Sequence, residues 1–370
     1  MLSGLRVLDF TRVLAGPLCT MTLGDLGADV LKVERPDGGD ETRGWGPPFD
    51  ERGESAYYLS VNRNKKSLIA DLDDPHDQEL CRRLITDADV VVDNFRPGTL
   101  ERRGIDPTSM IERFPRLIWC TITGFGPASE RPGYDFVVQA ERGWMAITGA
   151  PDGEPMKVGV ALADVLAGKD AAIAILAALA ARHLPANGVG RSPTPHAARR
   201  LHVSLAASAA AALVNVAQNA LVTGREARRW GNAHANLVPY QLFHAADRPL
   251  VIAVGSDAQW RACALALDLP ALAADPELRT NAGRIARREA VVGAISERVR
   301  GASADHWLAR LDAARVPAGR VKSVLEVLRE VECSPLSGIA PSVPGSVRLT
   351  PPRLGEHSAK IRDQGWAAFS

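Results

Sequence analysis

The chain opens with short β-branched runs set between amphipathic stretches. Arg6–Phe10 reads as a strand, Cys19–Leu26 as a helix and Asp29–Val33 as a second strand, which is a β-α-β unit with parallel strands. Strand-like runs continue at Ser67–Leu72, Asp89–Asp93 and Leu117–Thr123, with a helical pattern over Asp77–Ile85 between the first two. This alternation predicts a doubly wound α/β domain.

Tyr134–Thr148 and Asp164–Arg182 predict helices. The second opens on an aspartate and continues as an Ala-Ile-Leu helix that should be buried. Pro185, Gly188, Gly190, Pro193 and Pro195 break the pattern over Leu184–Arg200, so that stretch predicts a loop or boundary. Leu205 to Val222 is uncharged and approaches membrane-spanning length. Its alanine content and Ser208, Asn215, Gln218 and Asn219 make it a buried or interface helix instead.

The chain changes character around Gly224–Gly231. A smaller α/β unit follows, with a strand at Leu250–Val254 and helices near Ala258–Leu267, Ile285–Val299 and Ala304–Ala314. The tail from Pro335 is rich in Pro, Gly and Ser and should run over the surface, returning to the first domain. The expected division is 1–223 for the first part of a large domain, 224–330 for the small one and 331–370 for the tail.

Composition narrows the ligands. Forty-four Lys and Arg against 43 Asp and Glu leave a net charge of +1 over 370 residues, so no global field recruits nucleic acid or an anionic membrane. An anionic ligand must be met by local Arg and Lys. Cys19, Cys81, Cys120, Cys263 and Cys333 are odd in number, scattered and without a C-x-x-C pair, which argues against disulfides or a zinc knuckle and fits a reducing cytoplasm. Met1 leads into Leu2–Phe10 without the pattern of a secretory leader, and none is expected.

Several chemistries lack their motifs. Glu34 stands where a ribose-binding acid would follow a second Rossmann strand, but Ala15-Gly16-Pro17 and Gly24-Asp25-Leu26-Gly27 do not make G-x-G-x-x-G. Neither a phosphate loop nor a G-x-S-x-G elbow is present. The eight histidines contain no paired-ligand spacing, so no metal is expected. By spacing alone, Asp164 reads as the N-cap of an apolar helix.

What remains is a set of ordered motifs. V-L-D-F-T-R-V-L-A-G-P (Val7–Pro17), G-D-L-G-A-D-V-L-K-V-E-R-P (Gly24–Pro36), N-R-N-K-K-S (Asn62–Ser67), D-N-F-R-P-G (Asp93–Gly98), G-Y-D (Gly133–Asp135) and A-L-A-D-V-L-A-G (Ala161–Gly168) together resemble the class III CoA-transferases, the CaiB/BaiF family, over nearly the whole chain. W-G-P-P-F (Trp45–Phe49), the Tyr57–Ser67 stretch and Arg229–Phe243 resemble the branch that moves CoA between succinyl-CoA and glutarate.

The resemblance implies a Rossmann-like large domain with an inserted small α/β domain, assembled as an interlocked homodimer. It implies that Asp164 attacks an acyl-CoA thioester, forms an acyl anhydride, and then carries CoA as an aspartyl thioester to a carboxylic acid acceptor. A helix N terminus would keep Asp164 ionised and help bear an oxyanion.

For the coenzyme, the resemblance places Val13 and Leu14 beside the pantetheine and Arg35 near the phosphates. It places Ala70, Asp71, Leu72 and Asp73 around the adenosine, with Asn94, Phe95, Arg96 and Arg102 as another wall. Tyr57, Tyr134, Asp135 and His234 are assigned to the acyl pocket, and His234 is given no proton transfer. The basic run Asn62–Lys66 has two readings, a contact to CoA phosphates or to the acid's far carboxylate, and a solvated turn.

Tyr134 separates branches, because the racemases of this family carry a histidine base there and Tyr is a poor base near neutral pH. The alternatives are therefore an acyl-CoA racemase and a CoA-binding homologue inactivated by two departures, the Arg191–Arg200 segment and a shortened Ser346–Pro352 run.

Overall fold

Six short strands build the central sheet of the computed structural model: β1 (Arg6–Asp9), β2 (Asp29–Glu34), β3 (Lys65–Ile69), β4 (Val90–Asp93), β5 (Ile118–Thr123) and β6 (Arg200–Ser204). Their order is β3-β2-β1-β4-β5-β6 and every neighbouring pair is parallel. Residues 1–183 and 199–369 are described, so most of the unusual Arg191–Arg200 segment lies outside them. Val7, Leu8, Val30, Leu31 and Val90–Val92 are fully buried, as strands covered on both faces require. Strand β3 begins two residues before the sequence pattern suggests.

The strand order reverses between β1 and β4, so the carboxyl ends of these two strands open a crevice. Helix α1 (Ala15–Asp25) follows β1. Two further helices matter for the site, α2 (Asp135–Glu141) and α3 (Leu162–His183). Ala163, Ala167, Ala171 and Ile175 of α3 are fully buried in the core, together with Cys19 and Leu23 of α1. At the crossing of these helices a Cβ on residue 168 would lie 2.5 Å from the Ala15 carbonyl oxygen, so only glycine permits the approach.

The basic run Asn62–Lys66 is not a solvated turn: Asn62 to Lys65 are buried and Lys66 is half-buried. Arg63 forms a two-pronged pair with Asp25 at 2.9 and 2.7 Å, and Lys65 Nζ, fully buried, reaches Asp9 at 3.0 Å and the Pro17 carbonyl at 2.9 Å. Lys66 Nζ donates to the Ala368 carbonyl. These cations are consumed in tying β3 to its neighbours and to the tail.

The chain divides into two compact units, one comprising Met1–Met145, Lys157–Arg225 and the stretch from Val331, the other Ala146–Met156 and Glu226–Glu330. The first is closed by its tail: the Asn64 side-chain oxygen accepts from the N–H groups of Arg348 and Leu349, and Ile361 and Trp366 enter the core under β3 and β4. The second is built on an antiparallel sheet of Tyr240–His244, Pro249–Ala253 and Ala318–Arg320, with a core that includes Phe243, Trp260, Ile295 and Trp307.

The stretch expected as one alanine-rich helix is two, Leu205–Ala211 and Val214–Thr223, bent by 67°. The first is partly buried and the second has no buried residue. Among the described residues no single helix is long and apolar enough to cross a membrane; this bent pair passes that measure only jointly.

Candidate active site

The loop leaving β1 is built on buried charge. Asp9 accepts from the Thr11 N–H and hydroxyl and from the Thr20 hydroxyl, while Lys32 Nζ donates to the Thr11 carbonyl at 2.7 Å and to Asp40 at 3.0 Å. Burial would raise the Asp40 carboxyl, but Lys32 and the Thr42 N–H hold it below its ordinary value. Asp40 thus stays an acceptor, and it takes the Val13 N–H at 3.3 Å.

Val13 sits at φ +72°, a left-handed conformation that a β-branched residue rarely adopts. The loop is held there from two sides. From the end of β4, Asn94 accepts from the Arg12 N–H at 3.1 Å and donates to the Arg12 carbonyl at 2.7 Å, an amide clamp across 82 residues. Strain of this kind persists only where the surroundings over-determine it.

Two cavities lie at these strand ends. The smaller, about 210 Å³, is lined by Val13, Leu14, Asn94, Phe95, Tyr134 and Asp164 among others. The larger, about 520 Å³, is lined by Arg35, Ala70, Asp71, Leu72, Asp73 and Arg103, and Arg12, Phe95 and Arg96 line both. Together they make a tract from the far end of β3 past the β1 and β4 loops to the start of α3.

Asp164 is the third residue of α3, so it is not the helix cap that its spacing suggests. Asp135 takes that place from outside the helix: its Oδ1 accepts from the Ala163 N–H at 2.8 Å and the Asp164 N–H at 3.4 Å, and its Oδ2 accepts from Gln139 at 2.7 Å. Burial first and the Asp135 charge second push the Asp164 carboxyl up to about 7. The expectation that a helix N terminus keeps Asp164 fully ionised is reversed, because those N–H groups already serve another carboxylate. No described residue donates a hydrogen bond to the Asp164 carboxylate.

Tyr57 is the neighbour this arrangement feels. Burial, then Asp164, then Asp135 raise its phenol to about 12, so it remains a neutral donor. Trp45 packs edge-on against it at 5.1 Å between ring centres.

A family model for CoA-transferase family III matches residues 2–358. The chain belongs to CoA-transferase family III. It is 40% identical to a succinyl-CoA:glutarate CoA-transferase of Mus musculus, over 97% of this chain and 85% of that protein. It is equally 40% identical to a succinate–glutarate CoA-transferase of Agrobacterium fabrum, over 97% and 94%. Among solved structures, a CaiB/BaiF family protein from Brucella suis superposes with a TM-score of 0.83 at 38% identity, covering 98% of each chain.

This CoA-transferase thus takes CoA thioesters as substrates, and the tract holds most of the residues that the family resemblance implies for them. Arg35 lines the larger cavity with its Nε bound to the Gly39 carbonyl at 3.0 Å. Arg96 lines both cavities, and its guanidinium has no hydrogen bond or ion pair among the described residues.

Arg102 lines neither cavity, and its side chain reaches the Thr99 hydroxyl at 3.4 Å, while its neighbour Arg103 lines the larger cavity and pairs with Asp73 at 2.9 Å. The short 3-10 turn Glu101–Arg103 sets adjacent side chains in different directions, which no spacing rule reports. His234 belongs to the second unit, where its Nδ1 accepts from the Asn236 N–H and its ring meets Tyr240 at 5.2 Å.

Sequence reasoning missed Arg12, Asp40 and Arg131. Only Arg12, next to Val13 in a family motif, carried a signal that pointed to it.

Proposed function

We propose that this enzyme moves CoA from succinyl-CoA to a dicarboxylic acid such as glutarate through covalent intermediates on Asp164. One observation carries the reading: a half-buried carboxyl that accepts no hydrogen bond from any described residue lines the cavity, and its basicity is raised towards neutrality. The curated relatives named as succinyl-CoA:glutarate transferases support the substrate class.

The Asp164 carboxylate oxygen attacks the thioester carbonyl, the C–S bond breaks, and CoA leaves as a thiolate from a mixed anhydride. The thiolate attacks the Asp164 acyl carbon and expels the donor acid as a carboxylate, leaving an aspartyl-CoA thioester. The acceptor carboxylate then repeats the two steps in reverse, so no proton is gained or lost over the cycle. A carboxylate suits this relay because its anhydride with either acid is reversible. Tyr57, kept neutral beside Asp164 and Asp135, retains an O–H able to donate a hydrogen bond.

Tract geometry supports a coenzyme lying with its adenosine towards Ala70–Asp73, its phosphates near Arg35 and Arg96, and its pantetheine arm past Val13. We extend the proposal to a dimer of this chain, supported by exposed apolar residues such as Val214, Leu221 and Val222 on the second of the bent helices, at 67, 77 and 76%. A transfer assay with succinyl-CoA and a panel of glutarate, malate, oxalate and monocarboxylic acids tests the reading. Transfer favouring a dicarboxylate supports it, and α-proton exchange without transfer would replace it with racemisation.

A further inference from the structure

The Asp164 cavity is entered by three arginines, Arg12, Arg96 and Arg131. Arg12 and Arg96 also line the larger cavity, at the junction through which the coenzyme's arm would pass. Arg131 is the one that lines the Asp164 cavity and not the larger one. It stands on the loop between β5 and α2, a loop closed at its neck by a glycine pair: a Cβ on Gly124 would meet the α-carbon of Gly133 at 2.4 Å. That closure ties Arg131 to Tyr134, which lines the same cavity, and to Asp135, whose carboxylate caps the helix bearing Asp164.

The guanidinium is held in place. It stacks on Phe125 at 4.2 Å and pairs with both oxygens of Glu141 on α2. Its side chain is 56% exposed, so the pair is a surface pair of low energy that a second carboxylate can share or displace. A guanidinium has five donors, and Glu141 occupies two of them.

We infer that Arg131 binds the far carboxylate of the dicarboxylic acid whose near carboxyl reacts at Asp164. This rests on the dicarboxylate reading above. A cation in the acyl part of the cavity, apart from the coenzyme's path, is what separates a five-carbon diacid from the monoacid of equal length.

The test compares kcat/KM for glutarate and for valerate, with succinyl-CoA as donor, in the wild type, Arg131→Gln and Arg131→Lys. In a two-step relay this ratio reports the acceptor half-reaction alone. Arg131→Gln is expected to lower kcat/KM for glutarate by about tenfold to a hundredfold, the loss of a charged hydrogen-bond pair, with valerate changed little. Arg131→Lys is expected to restore part of the preference.

An unchanged glutarate-to-valerate ratio in Arg131→Gln, or an equal fall for both acids, would overturn the assignment. A wild type that does not prefer glutarate to valerate would instead overturn the dicarboxylate reading beneath it.

Discussion

Asp135 accepts the backbone N–H of Asp164 at 3.4 Å, so one carboxylate caps the helix on which the other is carried. The consequence is electrostatic. Capping spends the positive end of the helix on Asp135 and leaves Asp164 beside a like charge, and this acts with burial to raise the Asp164 carboxyl to about 7.

The raised value costs the fold stability. Its folded value lies above the ordinary 3.8, so the penalty is absent below about pH 4, grows as pH rises, and is complete above about pH 7. Asp164→Asn should therefore be more stable than wild type at pH 8, by up to about 4 kcal/mol, and equally stable near pH 4. Denaturant melts at the two pH values check this; a variant destabilised at pH 8 contradicts it.

Replacing Asp135 by Asn removes the like charge while its side-chain oxygen still accepts the Ala163 N–H. The acid limb of the transfer rate, which reports ionisation of Asp164, should move to lower pH. A pH-rate profile of kcat/KM decides it, and an unmoved limb would mean that burial alone sets the value.

Asn94→Ala releases the Arg12 backbone from both of its clamping bonds and with it the strained Val13. Loss of two hydrogen bonds from a positioned loop predicts a KM for the acyl-CoA raised by roughly tenfold. The melting temperature should change little, because no core packing is removed. Steady-state kinetics with a thermal melt separate the two effects.

Lys65→Met removes the cation that pairs with Asp9 in the core and leaves the more distant Lys32 as its remaining positive charge, although the methionine fills similar volume. Removal of one partner of a buried pair predicts a loss of about 3–5 kcal/mol, measured by equilibrium unfolding. A neutral outcome would mean that Lys32 alone compensates Asp9.

Much of the large unit was legible in the sequence because parallel strands announce themselves as mostly apolar runs: Val90–Val92 and Ile118–Cys120 are buried on both faces. The neighbourhood of Asp164 was less so. Its cap lies 29 residues away, and the partners that neutralise Arg63 and Lys65 lie 38 and 56 residues away. A local pattern reports periodicity, while ion pairs of that range appear only once the chain is folded. The basic run was therefore open to a ligand reading, and spacing could not tell that the turn presents Arg103, beside Arg102, to the larger cavity.

If Asp164 carries CoA, the covalent intermediate can be trapped. Incubating the enzyme with succinyl-CoA and no acceptor acid, reducing with borohydride and measuring the mass of the peptide that holds residue 164 tests this directly. Reduction of Asp164 to the alcohol, dependent on succinyl-CoA, is the expected result; an unmodified Asp164 in enzyme that is turning over would contradict it.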